Sequence, residues 1–448
     1  MCMPASAEAV KCLVAVFAAA SVAGVAAVTR HPVTVVVSFD GFRPDYIRAN
    51  VTPHMARFRD ASAAPPYMRS AFPTKTFVNH FTMATGMYSE KHGVFDNYMF
   101  DKNYEMMHYT YEQFHYDDSV VPIWIQNEIN GDGRFSGVMM WPGSEFAYQN
   151  KYPTYIQKYN RSLPWSDRID IIMSWIKDKN KPANLVYAYF DEPDHIAHLK
   201  GIYSQETTNQ IVRADVTLKY ILDQISQEKL ENKINLIILS DHGMDTITYE
   251  RMIHLDNYVS NDTYKIIKSG PNAFIHPNPN KFDEIYKNLS IVANTSKIFG
   301  VYKKDELPDR WHMKNNSRLT DIIYLLAKPE YAFWDIYYEY ILNGTTKEKF
   351  KVGAHGYDNE EPHMRALFMA SGPAFKKNYT AVQFDNVDLY PLISRIAGLT
   401  EPSRRIDGTM KGVEQLLSPQ PVGAAPTSTP PVLGILSALL LHAIARSL

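Results

Sequence analysis

Aspartate and histidine recur in this sequence in the combinations that bind metals. Asp40 follows an apolar run, Asp241-His242 follow another, and a third run leads into Asp191-Glu192-Pro193-Asp194-His195, with His198 close behind. A distant His355 sits in Gly353-Ala354-His355-Gly356, where the glycines are expected to let backbone come close to a metal. Carboxylate and neutral imidazole are the ligand set of zinc, and two zinc ions ~3.5–4 Å apart can clamp a phosphoryl centre between attacking and leaving oxygens. Asp194 and His198 lie four apart and share a face if a helix begins after Pro193; Asp191 and His195 have the same spacing. Spacing does not choose between them.

Phosphoryl transfer can go through a protein hydroxyl before water. The segment Phe72-Pro73-Thr74-Lys75-Thr76-Phe77-Val78-Asn79-His80 offers two, Thr74 and Thr76, and either could equally be a helix N-cap. Zinc would lower the pKa of such a hydroxyl and generate the alkoxide that free threonine does not supply near neutral pH.

These residues need strands to deliver them. Val33 to Phe39, Leu185 to Phe190, Ile234 to Leu239 and Ala366 to Ala370 are continuous apolar runs, as expected for buried strands of a parallel sheet. Ile211, Ala214, Val216, Leu218, Ile221, Leu222 and Ile225 recur at spacings compatible with an amphipathic helix between the second and third, and Asp388 to Leu399 reads as a closing helix. The fold class predicted is α/β, a mainly parallel central sheet flanked by helices, in which ligands collect at the carboxyl ends of the strands. A lone aspartate there is usually a turn residue; three strands ending in Asp or His are not so easily dismissed. From about residue 249 to 350 the strand–helix alternation weakens, and a less regular inserted lobe is expected.

The chain of 448 residues carries a formal net charge of -2, so no basic field marks nucleic acid as a partner. Residues 1–30, with Lys11 before an Ala/Val-rich run, read as a signal peptide. Residues 31–415 are expected to form the domain that carries the candidate site and 416–431 a Pro/Ser/Thr-rich stalk. Residues 432–448 hold an apolar run shorter than the ~20 residues of a spanning helix, with the layout of a GPI-attachment signal or a short transmembrane segment. The only cysteines, Cys2 and Cys12, lie in the leader, which by itself points to a reducing compartment. Eight Asn-x-Ser/Thr triplets, at Asn50, Asn160, Asn261, Asn288, Asn294, Asn315, Asn343 and Asn378, favour the secretory route and the outer face of the plasma membrane.

The ordered blocks Asp40-Gly41-Phe42-Arg43, Phe72 to His80, Thr85-Gly86, His92-Gly93, Trp141-Pro142-Gly143-Ser144, Glu192-Pro193-Asp194, Ser240 to Met244 and His355 to Asn359 resemble the ectonucleotide pyrophosphatase/phosphodiesterase family. That family belongs to the alkaline-phosphatase-like superfamily of two-metal enzymes, and the likeness is to its short, membrane-attached members. Val78 stands where a proline is common and Ala197 where a glycine is; neither removes a ligand. The resemblance implies two zinc ions per chain, one held by Asp194, His198 and His355, the other by Asp40, Thr76, Asp241 and His242. It implies Thr76 as nucleophile in a two-step displacement; an alkoxide attacker and a metal-activated water then predict activity rising into alkaline pH. Asn97 would steady the non-bridging oxygen, and Phe77 and Tyr159 would sandwich a nucleotide base. Trp141 and Glu145 are candidate substrate contacts, although Trp141 and Tyr159 could be plain core. The expected substrate is a small nucleotide or dinucleotide. The rivals are a choline-phosphodiester or lysophospholipid enzyme, with Glu145 in a cage for the quaternary ammonium, and a catalytically silent surface-binding protein.

Overall fold

A computed structural model describes residues 28–400 and 405–419. The expected signal peptide, apart from residues 28–30, most of the expected stalk and the C-terminal apolar run lie outside the described residues. Eight strands form the central sheet: β1 (Val33–Phe39), β2 (Ala63–Ala64), β3 (Ser136–Met139), β4 (Tyr155–Gln157), β5 (Leu185–Phe190), β6 (Ile234–Leu239), β7 (Phe368–Ser371) and β8 (Tyr379–Thr380). Their spatial order is β8-β2-β7-β6-β1-β5-β3-β4. The five from β6 to β4 are parallel.

Every residue of β1, β5 and β6 is buried, which accounts for their uninterrupted apolar sequence: a strand covered on both faces has no solvent side to alternate with. One helix group, Pro53–Ala61, Trp165–Ile176 and Gln205–Gln227, packs together; a second joins Thr76–Thr85, Ile123–Ile129 and Leu389–Ala397. The register pairs Phe39 with Phe190 and Ser38 with Leu239. Asp40, Asp191 and Ser240 therefore leave the sheet at nearly one level, and the parallel register itself gathers the chemistry.

The fourth predicted strand is shifted to Phe368–Ser371 and runs antiparallel to β6, not parallel. The reason is its entry. Gly243 N donates to Met364 O at 3.1 Å, so the chain already lies at the carboxyl edge when it turns into the sheet, with no crossover helix to bring it round. The closing helix is Leu389–Ala397, with Asp388 at its N-cap.

Within the inserted lobe, Tyr264–Ser269, Asn272–Pro277, Ile323–Ala327 and Phe299–Tyr302 form a four-stranded, fully antiparallel sheet in that order. Helix Phe282–Ser296 packs on its apolar side. On the other side Phe274 and Tyr324 join Phe72 and Trp311, whose rings stack at 4.0 Å. The lobe thus braces the loop that carries Thr74 and Thr76. Through Leu417 the described chain is one compact unit; of a second, Ser418–Leu448, only residues 418 and 419 are described. Among the described residues no helix is long and apolar enough to cross a membrane.

Candidate active site

Two trios of ligand-type side chains meet at the carboxyl edge. Asp40, Asp241 and His242 form one, and Asp194, His198 and His355 the other; within each, the donor atoms lie within 4.8 Å of one another. The two are adjacent, since the rings of His242 and His355 stack with centroids 3.7 Å apart.

The first trio follows directly from β1 and β6. Asp241 Oδ1 accepts a hydrogen bond from Gly41 N at 3.1 Å, tying the two strand ends together. Gly41 has φ +65, and a Cβ there would lie 3.0 Å from Asp194 Cβ, so glycine answers both turn and packing. The second trio is assembled from less regular parts. Helix Asp194–Lys200 carries Asp194 and His198 on one face, with His198 Nε2 3.4 Å from Asp194 Oδ2. His355 follows strand Lys351–Ala354, which pairs with Asp245–Thr248; its Nε2 lies 3.6 Å from Asp194 Oδ1. The glycines around His355 permit close packing: a Cβ on Gly353 would meet Ala197 O at 2.8 Å, and one on Gly356 would meet Lys75 Cε at 2.4 Å.

All three imidazoles are held the same way. Nδ1 of His242, His198 and His355 donates to the carbonyl of Gly243, Gly353 and Thr74 respectively, each at 2.8 Å. In the neutral ring this makes Nε2 the acceptor atom, turned to the carboxylates, the arrangement that orients metal-ligating histidines; burial opposes charge on His242, but Asp241 outweighs it and raises that imidazole's pKa. One oxygen of each aspartate (Asp40 Oδ1, Asp194 Oδ1, Asp241 Oδ2) is buried with no hydrogen-bond partner among the described residues. Buried carboxylate oxygens need a partner, and two cations would supply one. Burial, then Asp241 and Asp194, pushes Asp40 well above the usual carboxylate range. Burial likewise drives Asp194 up to about 7. For Asp241 burial also acts upward but is outweighed by His242 and His80, which hold it at about 2. His355 is lowered well below the usual imidazole value by burial, then by His242 and Lys75. Such a donor set fits metal.

The two threonines are now distinguishable. Thr74 Oγ1 donates to Tyr357 O at 2.9 Å and accepts from Gly356 N at 3.0 Å, so it ties down the His355 segment. Thr76 opens helix Thr76–Thr85, and its Oγ1 lies 3.3 Å from His242 Nε2. Asn97 Oδ1 accepts from Phe77 N at 2.8 Å, which leaves the amide NH2 as the end free to donate. Phe77 stacks on His108 at 5.3 Å. Tyr159 is 47% exposed, its hydroxyl donating to Asp191 Oδ2 at 2.9 Å and its backbone N to Glu145 Oε1 at 2.9 Å. Asp191 and His195 belong with that tyrosine: Arg161 bridges them at 2.6 and 2.7 Å, and neither is part of a trio.

Trp141 is corrected. It is fully buried, with Nε1 donating to His80 O at 3.0 Å and its ring edge-on to His80, so no surface remains for a substrate. Sequence reasoning also missed two supports. His80 Nδ1 donates to Thr76 O at 2.8 Å and lies 3.4 Å from Asp241 Oδ2. Tyr189 OH donates to Asp40 Oδ2 at 2.6 Å. His80 was within reach as the last residue of the threonine block; Tyr189, inside an apolar strand, carried no signal.

A mostly parallel α/β sheet with two aspartate/histidine trios and a helix-opening hydroxyl at its carboxyl edge defines a phosphoryl-transfer hydrolase. Residues 34–358 match the family model described as Type I phosphodiesterase / nucleotide pyrophosphatase, and the chain belongs to that family of hydrolases. It is 36% identical over 386 residues to human ectonucleotide pyrophosphatase/phosphodiesterase family member 5, covering 85% of this chain and 77% of the relative. Human bis(5'-adenosyl)-triphosphatase is 32% identical over 379 residues, covering 82% of this chain and 78% of the relative. The solved structure of murine ectonucleotide pyrophosphatase/phosphodiesterase 5, an inactive variant in complex with AMP, matches with TM-score 0.77 at 35% identity; the match covers 87% of this chain and 100% of the murine one.

Proposed function

We propose that this protein is a cell-surface nucleotide pyrophosphatase/phosphodiesterase that releases nucleoside monophosphates through transient esterification of Thr76. The reading is supported most directly by the Thr76 hydroxyl, 3.3 Å from His242 Nε2 and beside the buried, unpartnered oxygens of Asp40 and Asp241. Asp40, Thr76, Asp241 and His242 are the residues to hold one zinc ion, and Asp194, His198 and His355 the other. Bound there, zinc supplies Lewis acidity and lowers the pKa of a coordinated hydroxyl.

The chain's own residues do the rest. Thr76 Oγ1 attacks phosphorus in line as the bond to the departing oxygen breaks. Water then displaces the threonine oxygen and frees the monophosphate. The N-terminus of helix Thr76–Thr85 and the Asn97 amide face the developing negative charge, a preorganised donor set. Phe77 and Tyr159 sandwich the base, and the AMP held by the murine relative agrees with a nucleotide ligand. Glu145 positions Tyr159 through its backbone N–H. Location at the cell surface is supported by the relatives' designation as ectonucleotide enzymes and by the eight sequon asparagines, every one exposed.

The test expresses the full chain in cells, beside Thr76→Ala, and supplies the p-nitrophenyl ester of thymidine monophosphate in the medium. Hydrolysis by intact cells that rises toward alkaline pH and is lost on zinc chelation and in Thr76→Ala supports the reading. No hydrolysis by folded, zinc-loaded protein overturns it; turnover of choline phosphodiesters in its place would favour the lipid-head-group enzyme.

A further inference from the structure

The inserted lobe reaches into the site through a hairpin tip. Strands Tyr264–Ser269 and Asn272–Pro277 are joined by Gly270 and Pro271, and Gly270, at φ +64, makes the tight turn that sets Ser269 opposite Asn272. The lobe holds this tip by its backbone: Phe333 N donates to Gly270 O at 2.9 Å and Ala327 N to Pro271 O at 2.8 Å. Ser269 and Gly270 line a cleft of about 580 Å³ whose walls also include Lys75, Asn97, His198 and His355.

The tip is bonded to the sequence neighbours of the reacting groups. Lys75, which precedes Thr76, donates from Nζ to Ser269 O at 2.6 Å and to Ser269 Oγ at 3.1 Å. Ser269 Oγ donates in turn, at 2.8 Å, to Oδ1 of Asp96, which precedes Asn97. Asn272 Nδ2 donates at 2.9 Å to the carbonyl of Gly356, which follows His355. Lys75, Asp96, Ser269 and Asn272 are all buried. Thr76, Asn97 and His355 come from three separate stretches of chain, yet each has its neighbour on the same four-residue tip. Burying a cation and a carboxylate is costly, and apolar packing in their place is often as stable or more so. Stability alone therefore does not account for the Lys75–Ser269–Asp96 chain. Alignment does: an attacking hydroxyl and an oxyanion donor work only when other groups lock their mutual geometry.

Resting on the function proposed above, we propose that Ser269 and Asn272 are positioning residues. The Ser269 hydroxyl, set between Lys75 and Asp96, fixes Thr76 and Asn97 in mutual register, and Asn272 holds the His355 segment to the same tip. The experiment follows hydrolysis of the p-nitrophenyl ester of thymidine monophosphate by the full-length, zinc-loaded protein. It compares the parent with Ser269→Ala, Ser269→Thr, Asn97→Ala and the Ser269→Ala/Asn97→Ala double variant. Ser269→Ala is expected to lower kcat about tenfold, within the roughly hundredfold that a ~1 Å misplacement can cost. KM, zinc content and unfolding midpoint stay near the parent's. Ser269→Thr, which keeps the hydroxyl, restores kcat. In the Asn97→Ala background the same change costs about twofold or less, because the alignment it protects has lost its donor. An unchanged kcat in Ser269→Ala, or a tenfold loss repeated in the Asn97→Ala background, overturns the proposal for Ser269 while leaving the proposed function standing. Asn272→Ala is read separately, by competition for zinc with a chelating dye. About tenfold weaker retention at one of the two sites is expected, and retention equal to the parent's overturns the proposal for Asn272. A parent that leaves the ester intact overturns the function and the inference together.

Discussion

The two trios look chemically alike but are built on different foundations. Asp40, Asp241 and His242 are buried at the ends of neighbouring parallel strands, with Gly41 N and Asp241 Oδ1 bonded across the gap. Asp194 and His198 ride a seven-residue helix, and His355 comes from a segment fixed by Thr74 and by the packing of Gly353 and Gly356. The first trio is placed by strands whose every residue is buried, whereas the second is placed by a short helix and a strand end outside the central sheet. It is also the trio that borders the open cleft. The difference teaches that one half of the site is set by register and the other by loop packing, and the two should fail differently.

The largest effect is expected at the first. Thr76→Ala should lower kcat by ~10³-fold or more, with zinc content near the parent's; retained turnover would mean that the hydroxyl beside His242 is not the attacking group. His355→Ala comes next. About a hundredfold loss is expected, within the range for disturbed metal sites, with bound zinc falling from two to one per chain and partial recovery in excess zinc. Asp241→Ala should not recover, because it also cuts the tie to Gly41. Equal rescue of both variants would erase the distinction.

Tyr189→Phe tests support at the sheet. It removes the 2.6 Å hydrogen bond to Asp40 Oδ2 and is expected to weaken zinc affinity about tenfold, read by competition with a chelating dye. Smallest in activity is Gly356→Ala. Its φ of +114 and the 2.4 Å approach to Lys75 Cε predict a destabilisation of about 1–3 kcal/mol. Denaturant unfolding should show it, with zinc lost from the second site before the first.

The same contrast decides what the sequence made legible. Asp40 and Asp241-His242 could be read because fully buried strands are unbroken apolar runs, and the residues just past such a run stand at the sheet edge. The helix holding Asp194 and His198 could be read from its spacing, but their preference over Asp191 and His195 came only with the family resemblance. The structure supplies the physical reason, which is that Arg161 and Tyr159 engage Asp191. An apolar run does not encode its direction, so the antiparallel β7 was missed; direction depended on the path of 355–367. Trp141 was misjudged because a large aromatic in a motif reads alike whether it faces substrate or, as here, His80.

The three imidazoles are oriented by backbone carbonyls, those of Gly243, Gly353 and Thr74, rather than by side chains. Every residue type carries a carbonyl, but a Cβ on Gly243 would meet His363 O at 1.9 Å and one on Gly353 would meet Ala197 O at 2.8 Å, so two small residues remote from the reacting atoms guard the tautomer that faces the metals. Selection can then rework an exposed substrate contact such as Tyr159 without first renegotiating the imidazoles. A lineage built this way keeps its chemistry while it experiments with its substrates.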